Sequence, residues 1–244
     1  MPSIFLSPST QEFNPYVIGG TEEQYMNEVA DAMEPYLVSN GISFSRNNPN
    51  EPLSAAINQS NAAQYDLHLA LHSNAAPPAT AGTVRGTDVY YNANSTRGRD
   101  AAEIIAANFK RIYPDPSRVK TVANTTLAEL VRTNAPAVLI EIAYHDNVED
   151  ATWIANNIQP IARNLVQSLT QYFGIPFVEA QTPQTQTVTT AGGVLNIRRL
   201  PNTNATILGT APNGAAITVL GQWEDWYVVN YNGLIGYASA QYIR

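Results

Sequence analysis

The 244-residue chain contains no cysteine. That excludes a disulfide framework, a thiol nucleophile and a Cys-ligated zinc centre, so any metal must be held by His, Asp, Glu or neutral oxygen donors. Charge is scarce as well: 13 basic residues stand against 20 acidic ones, for a formal net charge of -7. No basic patch offsets this balance. Nucleic acid is therefore not an expected partner, since its binding is dominated by cationic neutralisation of phosphates. No apolar run approaches the ~20 residues that span a bilayer, and membrane insertion is not expected. Met1-Pro-Ser-Ile-Phe-Leu-Ser-Pro has no cationic region and only a three-residue apolar run, so no signal peptide is visible and the export route stays open.

What is present describes a folded protein with an uncharged, Asn/Thr/Gln-rich surface, suited to a polar, uncharged ligand such as a glycan. Hydrophobic residues make up 44% of the chain, and its length allows one large domain plus a small one, or two medium ones. Ile4 to Leu6 is apolar and stops at Ser7-Pro-Ser-Thr; a polar loop follows to Gly20. Thr21-Glu-Glu-Gln has the form of a capping box, after which Tyr25, Val29, Ala32, Met33 and Tyr36 recur at helical spacing to Asn40-Gly41. Ile42 to Arg46 alternates as a strand, and 53–63 reads as a short helix. Gly86-Thr-Asp-Val-Tyr-Tyr is a strand, 95–112 a helix, and one long helix is expected after Asp146-Asn-Val-Glu-Asp, running to about Phe173. Alternating strands and helices predict an α/β domain with a mostly parallel sheet flanked by helices.

Residues 176–187, rich in Gln and Thr, read as a linker. From Val188 the texture changes to brief strands separated by Asn-Gly and Pro-Asn-Gly turns, predicting a small all-β barrel. Of its aromatic residues Trp223, Trp226, Tyr227, Tyr231 and Tyr237, about half must fill the core.

Two polar residues interrupt otherwise apolar strands. Leu67 to Leu71 alternates as a buried strand that ends at His72, followed by Ser73 and Asn74; open α/β sheets place their sites at such strand ends. A histidine there is often only hydrogen-bonded structure. The second strand, Ala137-Val-Leu-Ile-Glu-Ile, carries Glu141 where the pattern calls for an apolar side chain, and Arg132 just upstream is its conventional ion-pair partner. His72 and Glu141 together imply one shared site. His68, four residues before His72, lies ~13 Å away along a strand, too far to share an ion with it.

Ile4-Phe-Leu-Ser-Pro, Glu23 to Asn27, Asp66 to Asn74, Gly86 to Tyr91, and Pro136 to Ile142 with Asp146-Asn-Val-Glu-Asp resemble, in that order, the zinc-dependent N-acetylmuramoyl-L-alanine amidases of type 3. Leu195-Asn-Ile-Arg, Pro201, Gly221, Trp226-Tyr-Val-Val and Gly233 to Tyr242 resemble a bacterial SH3-like wall-binding domain. The resemblance divides the chain into residues 1–175, a linker at 176–187 and residues 188–244. It implies hydrolysis of the amide between N-acetylmuramic acid and L-alanine in peptidoglycan by a metal-activated water, at the cell wall, as in an autolysin or endolysin. Zinc is the implied cofactor, with Glu23 and His72 as ligands, Glu141 as the catalytic carboxylate, and Asn74 and Arg132 as candidates for substrate binding. The family's first zinc ligand, a histidine, falls on or beside Thr10-Gln-Glu. Gln11, or Glu12, is left to supply an oxygen in its place. That departure carries the alternative, a degenerate amidase that binds or regulates without hydrolysing.

Overall fold

The computed structural model describes all 244 residues. Two compact units make up the chain: residues 3–33 with 44–172, and residues 1–2 and 34–43 with 173–244.

In chain order the elements of the α/β region are β1 (Ser3–Pro8), α1 (Glu22–Ser39), β2 (Ser43–Arg46), α2 (Leu53–Asn61), β3 (Leu67–Asn74), β4 (Thr87–Asn92), α3 (Thr96–Phe109), β5 (Val119–Asn124), α4 (Ala128–Val131), β6 (Ala137–Tyr144), α5 (Val148–Asn156) and α6 (Ile158–Phe173). The six strands form one sheet in the order β2-β1-β3-β6-β4-β5. β1, β3 and β6 run parallel, whereas β4 is antiparallel to β6 and parallel to β5. The sheet is thus mixed: the connection from β3 to β4 carries only a single short 3₁₀ turn at Pro78–Thr80 and no crossover helix of the kind that parallel pairing requires.

Local chemistry explains most boundaries. Thr21 accepts a bond from the Gln24 backbone N–H (3.2 Å), as the capping pattern predicts, although the Gln24 side chain turns to Glu28 (3.0 Å). Ser95 caps α3 by accepting from Gly98 (3.0 Å). The single long helix expected after Asp150 is broken into two: Asn157 closes α5 by bonding back to Ile154 through its backbone and to Trp153 through its side chain (2.7 Å). β5 was not apparent from sequence because its Lys120, Thr121 and Ala123 are exposed at a sheet edge.

Side chains on one face of the sheet, including Leu67, Leu69, Leu71, Val138, Ile140 and Ile142, are fully buried and apolar. The other face differs. Its β3 residues are His68, Ala70 and His72; α4 covers Ala70, Ala137 and Leu139 with Leu130, and Leu127 packs beside it.

The second unit contains β7 (Gln184–Thr187), β8 (Val194–Arg198), β9 (Ile207–Pro212), β10 (Ala216–Trp223), β11 (Trp226–Tyr231) and β12 (Leu234–Ser239), all antiparallel in the order β7-β10-β11-β12-β8-β9. β7 lies within the stretch read as a linker. Val188, Leu195, Ile197, Ile217, Val229 and Ala238 form its core, with Tyr227 and Tyr231 packed partly against it. Tyr237 is fully buried in a second cluster, flanked by the partly buried Trp223 and Trp226.

Candidate functional site

The site begins with strand register. His72 on β3 is the direct neighbour of Glu141 on β6, which faces Asp88 on β4, which faces Lys120 on β5. Paired residues project to the same side, so the four side chains form one polar row across the sheet. Lys120 bonds Asp88 at 3.3 Å, closing the far end of the row.

At the near end, the first turn of α1 points an acid at His72. That acid is Glu22: its Oε1 lies 2.8 Å from His72 Nδ1, and its Oε2 accepts from Asn14 Nδ2 at 2.7 Å. Glu23, the ligand expected from the sequence register, instead accepts from Asn27 on its own helix (3.2 Å) and does not reach the histidine. Gln11 does reach it, with its side-chain nitrogen 3.3 Å from His72 Nδ1 and its oxygen accepting from Asn14 (3.2 Å). A carboxylate at a helix N-terminus is favoured by the macrodipole, and this one is also held by ring and amide donors. Burial pulls the Glu22 carboxyl upward, but His72 and Asn14 keep it below the ordinary carboxylate range.

The other ring nitrogen of His72 meets a residue that sequence reasoning did not name. Glu129 on α4 places Oε2 3.0 Å from His72 Nε2 and Oε1 3.1 Å from His68 Nε2, and accepts from Ser7 Oγ at 2.6 Å. Burial opposes its ionisation, yet the His68 and His72 bonds hold the Glu129 carboxyl far below the usual range. Burial also opposes the charge on His72, and the bonds to Glu129 and Glu22 raise the ring well above an ordinary histidine. The only sequence cue to Glu129 was an acid set between Leu127 and Leu130 in a segment leading into a buried strand.

Glu141 behaves in the opposite way. Its Oε2 is shut off from solvent and has no hydrogen-bond partner, and Arg132 does not pair with it. Burial pushes its carboxyl up to about 7; the nearby charges of Glu22, Asp88 and Glu129 add to this while His72 opposes it. The stability consequence has a definite sign. Below the ordinary carboxylate range the folded and unfolded chains both hold the proton; as pH rises, the unfolded chain releases it first, so stability is lost progressively until about pH 7. A shift of this size corresponds to about 3 kcal/mol. Urea melts of zinc-free protein at pH 4 and pH 8 should show wild type losing about that much relative to Glu141→Gln; a gap that does not change with pH would mean Glu141 titrates as an exposed acid.

The remaining expected residues fall outside this cluster. Asn74 ends β3, half-buried, and its carbonyl accepts from His145 N–H (2.8 Å). Arg132 is exposed at the end of α4, its carbonyl bonded to Asn61, which also holds Asn134 before the start of β6, away from the Glu141 end. His145 is buried, with Nδ1 2.8 Å from the Ser73 carbonyl and its ring stacked on Tyr16. A cavity of about 320 Å³ opens beside Gln11, His72 and Glu129, walled by Pro8, Phe13, Pro52 and Leu53.

No three His, Asp or Glu side chains converge on one point. Glu22 Oε1 and the Gln11 amide both lie against His72 Nδ1, and a half-turn of that amide, giving up its bond from Asn14, would present an oxygen where the nitrogen stands. Two ligands of a tetrahedral zinc ion stand roughly 3.3 Å apart, a spacing the His72–Gln11 pair already has and the closer Glu22–His72 pair reaches by opening about 0.5 Å. Glu129 behind the ring is the partner that a metal-bound imidazole ordinarily has. With the amide so turned, the donor set would offer zinc one nitrogen and two oxygens.

A sequence profile described as N-acetylmuramoyl-L-alanine amidase matches residues 13–171, and one described as bacterial SH3 domain matches residues 193–244. No curated protein is similar enough in sequence to match. Among solved structures, N-acetylmuramoyl-L-alanine amidase AmiC2 of Nostoc punctiforme superposes with a TM-score of 0.62 at 15% identity, covering 71% of this chain and 97% of its own. The catalytic domain of CwlV, an N-acetylmuramoyl-L-alanine amidase from Bacillus (Paenibacillus) polymyxa, gives 0.62 at 15% identity over 72% and 100%. The catalytic domain of the CD27L endolysin targeting Clostridia difficile gives 0.59 at 21% identity over 70% and 98%. At such identities the superpositions establish the fold.

Proposed function

Since this chain belongs to the N-acetylmuramoyl-L-alanine amidase family, we propose that it hydrolyses the amide between N-acetylmuramic acid and L-alanine in peptidoglycan, with Glu22, His72 and Gln11 holding zinc and Glu141 moving the proton. The observation that carries this reading is the buried, unpartnered Oε2 of Glu141 beside His72, in a carboxyl raised to about 7. An acid meant only for structure would be paired; one poised near neutral pH with a free oxygen suits general base and then general acid work. That feature favours hydrolysis over a binding-only role.

A zinc ion bound there would polarise the scissile carbonyl and lower the pKa of a coordinated water from 15.7 toward about 7. Glu141 would take a proton from the attacking water and deliver it to the leaving alanine nitrogen. Asn14 holds Glu22 through Oε2 and so keeps Oε1 turned to His72. Peptidoglycan is the partner that the C-terminal unit would also hold, raising the effective concentration of the α/β unit at the wall. A groove there is lined by Trp226, Tyr242, Arg198 and Gln241. No helix is long and apolar enough to cross a membrane.

The test is digestion of purified peptidoglycan by zinc-loaded protein, followed by end-group analysis. New alanine amino termini without new reducing sugar ends are expected. Reducing ends, or amino termini of any other residue, would assign a different bond and overturn the reading.

A further inference from the structure

Glu129 is 2% exposed and His68 is completely buried, and neither has a role in the reaction above. A carboxylate in this position is costly: burying a charge carries a penalty of several kcal/mol that an apolar side chain of similar volume would avoid. The carboxylate is nonetheless fully used. Ser7 donates to Oε1, His68 donates to the same oxygen, and His72 donates to Oε2. His68 is itself fixed, its ring stacked on Phe5 at 5.4 Å and its Nδ1 3.0 Å from Ser60 Oγ.

The chemistry of these groups sets their orientation. An ionised carboxylate can only accept hydrogen bonds, so both histidines must present Nε2–H to it. Proton placement on one ring nitrogen decides what the other can do. With Nε2–H committed to Glu129, His72 turns Nδ1 to Glu22 and Gln11, and the proton that Nδ1 donates to Glu22 is the one a metal ion would displace. A ring that leans on a carboxylate is also a stronger donor at its far nitrogen. That strength matters in a site where the third donor is a neutral amide.

We propose that Glu129, braced by Ser7 and His68, is a positioning residue that presents His72 Nδ1 to the metal site and strengthens it as a ligand. The inference rests on the zinc reading above. It extends that reading to a buried hydrogen-bonded relay, Ser60–His68–Glu129–His72, that reaches the site from inside the sheet.

Zinc affinity of the full chain, measured by competition with a chromophoric chelator, tests it together with side-chain ¹⁵N spectra of the histidines. Glu129→Gln keeps the shape but cannot accept from two rings in the same way; it should weaken zinc by about 10- to 100-fold and change the His72 Nε2 resonance. Ser7→Ala removes only one bond to the carboxylate and leaves the packing intact, so it should weaken zinc by about two- to fivefold even if Glu129→Gln folds poorly. Zinc affinity within twofold of wild type in both variants, with an unchanged His72 spectrum, would overturn the role of Glu129 while leaving the zinc site standing. Failure of the wild type itself to bind zinc would overturn the metal reading and this inference with it.

Discussion

Glu141→Gln is expected to lower kcat on peptidoglycan by about 10³-fold, within the range that removal of a general acid–base group usually costs, with zinc content and KM nearly unchanged. The substitution keeps the volume of the side chain and removes only its ability to exchange a proton. Because Oε2 has no partner within the fold, no structural bond is lost, and the effect should fall on the chemical step. The pH profile supplies a second readout. Glu141 must be ionised to act as the base, so wild-type activity should fall on the acid side as this carboxyl takes up its proton, at a pH that burial raises and a bound zinc ion would lower. The residual activity of Glu141→Gln should lack that acid limb. An active Glu141→Gln enzyme with the wild-type profile would remove Glu141 from the chemistry.

The second large effect separates two adjacent acids. Glu22→Gln should lose most of its bound zinc and at least about 10²-fold in activity, because it withdraws the charged oxygen 2.8 Å from His72 Nδ1 and leaves Asn14 facing an amide. Glu23→Gln should remain within about twofold of wild type, since Glu23 bonds only to its own helix at Asn27 and any loss there is that of a partly exposed polar contact. Zinc-to-protein ratios and turnover of the two variants decide the matter. The reverse outcome, zinc lost with Glu23 and kept with Glu22, would show that α1 is rotated by about one residue from the arrangement described here.

The pair also shows where the sequence stops being informative. Asn27, four residues beyond Glu23, made Glu23 the natural choice in the register of the family; in the structure that asparagine is the reason Glu23 is occupied elsewhere. Successive residues on a helix point about 100° apart, so the choice between them depends on how α1 is docked on the sheet. Glu129 is less legible still. It lies in a four-residue helix, too short to show a periodicity, and only the approach of α4 to β3 brings it under His68 and His72.

The reversal of β4 was hidden for a different reason. A buried strand looks much the same in composition whichever way it runs, and direction is decided by the path of the connection. The break at Asn157 was equally quiet, since an apolar stripe on either side of a single unwound residue reads as continuous.

From the sequence alone came the α/β class of the first region, the all-β character of the second, and the two polar residues His72 and Glu141 on apolar strands. These were legible because burial in a strand is a local pattern of period two, and a charged or titratable side chain that breaks it stands out. The tertiary structure alone decided which acid of α1 meets His72, that Gln11 shares its nitrogen, and that Glu129 lies behind the ring. Those are contacts between residues 50 to 61 positions apart in the chain, and their geometry comes from packing of helices on the sheet, which no local pattern encodes.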